Sequence, residues 1–116
     1  MKFANLIVQD CDTGIKVSIT ETARERMRGL LGRDRLLSSE ALLLRPCRSI
    51  HTFGMRFAID VIFLDRHNRI VAIHHDISKR RMLLSLRATQ TLEMTAGSAR
   101  QLRMVVGEQL VLESLL

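Results

Sequence analysis

The sequence holds few of the residues that supply cross-links, rigid turns or aromatic stacking. Its 116 residues include two cysteines, one proline and four phenylalanines, with neither tryptophan nor tyrosine. Cys11 and Cys47 can form at most one bridge, and without an export signal two reduced thiols are favoured. The first six residues lack the long apolar core and the small-residue cleavage site of a signal peptide, so we expect a cytoplasmic protein.

Long apolar runs are also missing. No stretch approaches the roughly 20 apolar residues that a membrane-spanning helix requires. A length of 116 residues with 47% hydrophobic and 26% charged residues fits a globular protein with its own core. Because no repeat, low-complexity tract or linker interrupts the chain, residues 1–116 are interpreted as a single domain.

The net charge of +6 comes almost entirely from arginine. A basic protein is a candidate for binding nucleic acid or an anionic membrane. Single-stranded nucleic acids are usually held by stacking on aromatic side chains, and this sequence has only four phenylalanines. We therefore do not expect a nucleic-acid partner.

The hydrophobic pattern predicts short strands along most of the chain. Ile15, Val17 and Ile19 alternate with polar residues, which is the period of a half-buried strand. Residues 9–14 before them are expected to form a turn-rich linker. Further strands are predicted over residues 3–8, 41–44, 50–53, 58–64, 69–75, 89–94 and 109–113, with residues 104–106 extended.

One α-helix is predicted, over residues 22–31. Thr22 followed three positions later by Glu25 matches a capping box, and Gly29 permits an earlier end. A short helical turn is expected within residues 96–102. Since most strands are not followed by a helix, we predict a mainly β fold, namely a small antiparallel barrel or sandwich of about seven to eight short strands.

The most distinctive chemistry lies in and near an apolar run at residues 57–64. A single carboxylate, Asp60, interrupts this run, and a buried carboxylate needs hydrogen bonds, a counter-charge or a proton. Arg56 is suited to bind a carboxylate or phosphate, and His51 is suited to move a proton near neutral pH. The candidate ligand-binding residues are therefore His51, Arg56, Asp60 and Glu93.

A purely structural role for Asp60 stays open beside this prediction. Asp60 would then accept hydrogen bonds from backbone amides, Thr52 or Arg56 and fix the strand junction. Such a residue would support the fold without touching a ligand.

Neither a metal nor a cofactor is expected. Adjacent His74 and His75 would point to opposite faces of a strand, which makes them a poor ligand pair. Cys47 is near His51 in sequence, but no residue that would orient this histidine for nucleophilic catalysis is identifiable.

The segment Lys79–Arg87 mixes basic and apolar side chains. If Met82, Leu83, Leu84 and Leu86 were exposed, they would mark a membrane or partner surface. We favour the alternative that they fold back over the open end of the barrel, which leaves peripheral membrane contact as the less favoured expectation.

Four blocks of the sequence resemble the prokaryotic family known as domain of unknown function 192. They are residues 28–33, 51–65, 92–97 and 107–108. The chain departs from the family pattern at Ala58, where proline is frequent, and at Gly54, where a bulky aromatic is frequent. The resemblance implies a compact mainly β domain and implies no activity.

Two classes of function follow from these observations. We favour a non-catalytic binding module for a small anionic ligand or a protein partner, because no set of nucleophile, base and orienting group can be assembled. The alternative is a small hydrolase-like or transferase-like enzyme that uses His51 with Asp60 and Glu93.

Overall fold

A computed structural model of the protein describes residues 1–115. Within them the chain forms nine strands and two short helices. The strands are β1 (Lys2–Val8), β2 (Cys11–Ile19), β3 (Glu40–Leu44), β4 (Ser49–His51), β5 (Ile59–Leu64), β6 (Ile70–Ile77), β7 (Met82–Leu84), β8 (Gln90–Thr95) and β9 (Val111–Ser114). The helices are α1 (Ala23–Arg28) and α2 (Ser98–Gln101).

Seven strands form one sheet in the order β6-β5-β8-β3-β2-β1-β9, while β4 and β7 form a separate two-stranded ribbon. The predicted mainly β class is thus confirmed. The sheet is sandwich-like. It is not a closed barrel, because among the described residues a single isolated bridge, from Arg69 to Gln109, connects the segments before its two outer strands, β6 and β9. The antiparallel prediction is wrong for one pair, because β2 and β3 run parallel. The crossover through α1 between them is long enough for a parallel connection.

The sheet has a hydrophobic core on each face. We call the first the inner core; it includes Leu6, Val17, Leu43, Ile62, Leu92 and Met94. We call the second the outer core; it includes Leu30, Leu42, Leu44, Val61, Phe63 and Leu83. Because β5 contributes to both, all six of its residues are buried, as the apolar run in the sequence predicts.

The helix α1 ends earlier than predicted, at Arg28. Its capping box is present, since Thr22 Oγ1 accepts from the Glu25 amide and Glu25 Oε1 accepts from the Thr22 amide, both at 3.1 Å. Gly29 then ends the helix with φ 48° and ψ −124°, a conformation that side chains with a Cβ rarely adopt. Leu30 therefore lies beyond the helix and packs into the outer core.

Three further segments differ from the sequence predictions. The first linker is only the turn Gln9–Asp10, whose φ angles of 53° and 63° suit a tight hairpin, so residues 11–14 belong to β2. Residues 82–84, for which no strand is predicted, form β7, and residues 104–106, predicted to be extended, are not part of a strand.

Two further properties concern the thiols and the helices of the described residues. Cys11 and Cys47 are separate free thiols. Neither helix within residues 1–115 is long and apolar enough to cross a membrane.

Candidate functional site

Asp60 is fully buried on the inner-core face of β5. Its Oδ1 accepts a hydrogen bond from the Asp76 amide at 2.9 Å. Its Oδ2 accepts from the Gly97 and Ala99 amides at 3.1 and 2.9 Å. The carboxylate thereby joins β6 and the start of α2 to the central strand. Three donated amides satisfy a buried carboxylate, which is the structural role that the sequence left open.

Glu93 lies on the opposite face of the same sheet. Its neighbours Leu92 and Met94 pack into the inner core, and alternation along β8 directs Glu93 toward the outer face. Only 5% of Glu93 is exposed, and no residue in the described part of the chain donates a hydrogen bond to its carboxylate. Burial raises the pKa of Glu93 to about 7, because the charged form is poorly solvated there.

The predicted grouping of Asp60 with Glu93 is therefore corrected. The two residues are on adjacent strands, but Asp60 pairs with Met94 while Glu93 pairs with Val61. A difference of one position in register reverses the face on which a side chain lies. Sequence periodicity gives the facing within each strand but not the register between two strands.

Glu93 lies at the side of a groove of about 430 Å³. We call it the α1–β4 groove, since one wall is formed by residues 26–31 and the other by residues 46–51. Leu30, Leu44 and Met55 supply apolar surface between these walls. A volume of this size is typical of sites for small molecules.

Arginine side chains dominate the charge of this groove. Arg26, Arg28 and Arg48 line it, and Glu93 is the one acidic residue among its described lining residues. Arg28 and Arg48 are exposed, whereas Arg26 Nη1 donates to the Arg45 carbonyl at 3.2 Å. The guanidinium groups of Arg28 and Arg48 are thus accessible to a ligand that enters from solvent.

His51 and Cys47 also line the groove. The Cys47 thiol donates to the Ser49 carbonyl at 3.0 Å. The His51 ring is exposed and lies against Phe53, with ring centroids 5.8 Å apart. Within residues 1–115 no hydrogen bond joins His51 to either Cys47 or Glu93, so a nucleophile paired with a base is not assembled here.

Arg56 lies outside the groove. It is exposed and forms an ion pair with Asp34, and it lines a smaller pocket next to Phe57 and Lys79. Of the four predicted site residues, the structure brings His51 and Glu93 to one groove and places Asp60 and Arg56 elsewhere.

The sequence analysis did not identify the three arginines that line the groove. Arg28 belongs to the block 28–33 on which the family resemblance partly depends, and this block was the available signal. Arg26 and Arg48 carry no comparable pattern. They lie near Arg28 because residues 26–31 and 46–51 form the two walls of one groove.

The metal-ligating residue types are dispersed. No group of three or more histidine, cysteine, aspartate or glutamate side chains that could hold a metal ion occurs within residues 1–115. His74, for example, lies edge-on against Phe63 with ring centroids 5.7 Å apart.

Comparison with solved structures shows the same fold in two bacterial proteins. One, from Sinorhizobium meliloti 1021, is described as a "putative transcription regulator" and has a TM-score of 0.81 at 20% identity, covering 96% of this chain and 92% of that one. The other, a protein of unknown function from Novosphingobium aromaticivorans DSM 12444, has a TM-score of 0.76 at 18% identity, covering 94% and 83%. At this identity the likeness extends to the fold alone.

No curated protein matches the sequence. The family model DUF192, described as "Uncharacterized ACR", matches residues 6–112. This range runs from β1 to β9 and includes both walls of the groove. The chain therefore belongs to the DUF192 family.

Proposed function

We propose that the protein is a non-catalytic binding module whose α1–β4 groove holds a small organic anion. The observation that carries this proposal is the Glu93 side chain, which is 5% exposed and has no hydrogen-bond donor among the described residues. The carboxyl group meets solvent only through the groove, and a polar group with so little access to water gains from a hydrogen-bond partner. A ligand in the groove would supply the missing partner.

The chemistry of the groove narrows the ligand class. Arg28 and Arg48 at the groove favour a carboxylate or a phosphate ester, which guanidinium groups bind in a planar, two-pronged geometry. Glu93 in its protonated form donates an O–H, so it suits a ligand hydroxyl or carbonyl oxygen. Leu30 and Met55 suit a short apolar portion between the two polar ends.

Native mass spectrometry of the gently purified protein is the first test. A bound small molecule adds a discrete mass that disappears after denaturation. Binding is then measured by amide chemical-shift titration with inorganic phosphate, succinate and glycerol phosphate. We expect at least one probe to shift the amides of the groove walls. The proposal fails if no mass is retained and none of the probes shifts these amides.

A pair of arginine variants makes the test specific. Replacing both Arg28 and Arg48 with glutamine removes two charge-assisted contacts, and we expect affinity to fall by about tenfold or more. Arg100→Gln is the matched control, because Arg100 is an exposed arginine on α2 and does not line the groove. Equal affinities of the double variant and the control would contradict the proposal.

The enzyme alternative is less well supported. It requires His51 to act with Asp60 and Glu93, but Asp60 is occupied by three backbone amides on the opposite face. His51 and Glu93 alone lack a nucleophile held in contact with a base. Turnover of a substrate that is lost on His51→Ala would reverse this preference.

A cytoplasmic location is part of the same proposal. Two unpaired thiols, Cys11 on the surface and Cys47 in the groove, are typical of proteins kept in a reducing compartment.

A further inference from the structure

The ribbon formed by β4 and β7 has one buried face and one open face. Ile50 pairs with Leu83, and both are 9% exposed and pack into the outer core. Met82 and Leu84 alternate with Leu83 and are 74% and 60% exposed. The favoured expectation is that Met82, Leu83, Leu84 and Leu86 fold back over the open end of a barrel. Only Leu83 of these four is buried, so the expectation is wrong for Met82, Leu84 and Leu86.

The open face continues beyond β7. Leu86, in the turn that follows, is 74% exposed, and Phe53, which lies against His51 of β4, is 47% exposed. We call Phe53, Met82, Leu84 and Leu86 the ribbon surface. Exposed single apolar residues are ordinary, but four large ones on one ribbon and its flanking turns indicate a contact surface.

Positive charge is concentrated around this surface. Residues 45–59 and 77–92, which contain the ribbon and its flanks, hold seven of the 18 lysines and arginines and none of the 12 aspartates and glutamates. The remaining 11 basic and 12 acidic residues nearly cancel. The two segments that present the exposed apolar side chains therefore carry the excess of basic residues, and of these seven Arg56 is paired with Asp34 outside them.

We propose that the ribbon surface docks on the face of an anionic lipid bilayer. Apolar side chains surrounded by lysine and arginine suit such a bilayer, where the apolar groups enter the boundary of the acyl chains and the cations contact the lipid phosphates. Lys79, Arg80, Arg81 and Arg87 are exposed beside Leu84 and Leu86, so both contributions come from one continuous segment.

Two other occupants fit the same surface less well. A second copy of this chain would bring two strongly basic surfaces together, which is repulsive at a contact. A nucleic acid would be attracted by the cations but would leave Met82, Leu84 and Leu86 without an apolar partner. Of these three occupants, the bilayer satisfies both the charge and the exposed apolar area.

Vesicle flotation of the full chain tests the proposal. Vesicles of phosphatidylcholine containing about one-third phosphatidylglycerol are compared with vesicles of phosphatidylcholine alone, at low ionic strength. We expect the protein to float with the anionic vesicles only. Added salt should release much of it, since the attraction between cations and lipid phosphates is screened.

Two variants separate the apolar and charged contributions. Combining Leu84→Ser with Leu86→Ser should lower the partition coefficient about tenfold or more. Combining Arg80→Gln with Arg81→Gln should lower it by roughly tenfold. The matched control combines Val105→Ser with Val106→Ser, two apolar residues that are 58% and 61% exposed outside the ribbon, and it should float like the unchanged protein.

Several outcomes would overturn the proposal. One is absence of flotation with anionic vesicles at low salt. A second is equal flotation of the leucine variant and the control, because binding to the vesicles would then depend on charge alone. A third is a dimer in size-exclusion chromatography that the leucine variant abolishes, since the surface would then bind a second copy. Circular dichroism of each variant verifies that the fold is kept.

Discussion

Two buried carboxylates on neighbouring strands show how differently the two faces of this sheet are used. Asp60 on β5 faces the inner core and accepts hydrogen bonds from three backbone amides. Glu93 on β8 faces the outer core, is 5% exposed and accepts none from the described residues. Burial is nearly the same for both, so the number of donors and not the depth distinguishes them.

The difference assigns distinct roles to the two faces. On the inner face the chain has supplied its own partners, and the polar group there stabilises the fold. On the outer face it leaves a carboxyl group open toward a groove, and burial raises its pKa to about 7. A carboxyl group such as Glu93, which lowers stability when no ligand is bound, is typical of a binding site.

The largest effect is expected from Asp60→Ala. This substitution leaves the Asp76, Gly97 and Ala99 amides without their acceptor, and the Ala99 amide is buried. We expect the free energy of unfolding to fall by about 3–5 kcal/mol, measured by urea denaturation. Asp60→Asn, which keeps one carbonyl oxygen, should lose less. A loss under about 1 kcal/mol in Asp60→Ala would remove the contrast between the two carboxylates.

The second effect depends on pH and concerns Glu93. Its pKa is about 7 in the folded protein and 4.5 in the unfolded chain, so between these values the folded protein holds a proton that the unfolded chain has lost. The free energy of unfolding therefore falls as the pH rises through this interval and levels off above it. The loss amounts to roughly 3 kcal/mol.

Glu93→Gln should lack this pH dependence. Urea denaturation of both proteins at about pH 4 and about pH 8.5 measures it, because the contributions of all other groups are shared. Between about pH 4 and about pH 8.5 we expect the free energy of unfolding to fall by about 3 kcal/mol more in the unchanged protein than in the variant. If the free energy of unfolding falls equally in the two proteins, Glu93 has a hydrogen-bond or charge partner in solution. The contrast between Asp60 and Glu93 would then be wrong.

A smaller effect is expected from Gly29→Ala, which tests the α1 wall of the groove. A Cβ at this position meets only the Arg26 carbonyl, at 3.7 Å, so the cost arises from the positive φ and not from a clash. We expect a loss of about 1–2 kcal/mol in urea denaturation. Arg28→Ala, one position earlier, is the control and should change stability by less than about 0.5 kcal/mol. Equal effects would show that the turn at Gly29 is not needed.

The smallest effect is expected from Thr22→Ala. It removes the side-chain acceptor for the Glu25 amide and should cost about 1 kcal/mol, with Thr22→Ser close to neutral. Thermal unfolding followed by circular dichroism measures both. A larger loss would indicate that α1 supports the outer core more strongly than its exposed residues suggest.

Much of the fold could be predicted from local pattern. Alternation predicted β2 and β8, the apolar run at residues 57–64 predicted β5, and the spacing of Thr22 and Glu25 gave the start of α1. The end of α1 was missed because its apolar spacing continues to Leu31, while the backbone at Gly29 decides where the helix stops. The strand β7 was missed because three residues are too few to show a period.

The site was less predictable than the fold. The sequence singled out Asp60 as the carboxylate within an apolar strand and added Glu93 as a second acid, and both residues are buried. It grouped them wrongly because the pairing of Val61 with Glu93 is a long-range register that no local pattern contains. Of the groove arginines, Arg26 and Arg28 lie in the last turn of α1 and Arg48 lies just before β4. No local pattern shows that these two segments face each other.

The pairing of the first strand with the last has a consequence for the order of events in folding. β1 lies between β2 and β9 in the sheet, and Ala4 is opposite Ser114. During synthesis β1 can form its hairpin with β2 early, but its other edge stays open until residues 111–114 have left the ribosome. Closing a loop of nearly the whole chain is slow, and an open strand edge is prone to pair with other molecules. The nascent protein is therefore expected to complete its sheet only after residues 111–114 have left the ribosome, with β1 exposed to chaperones until then.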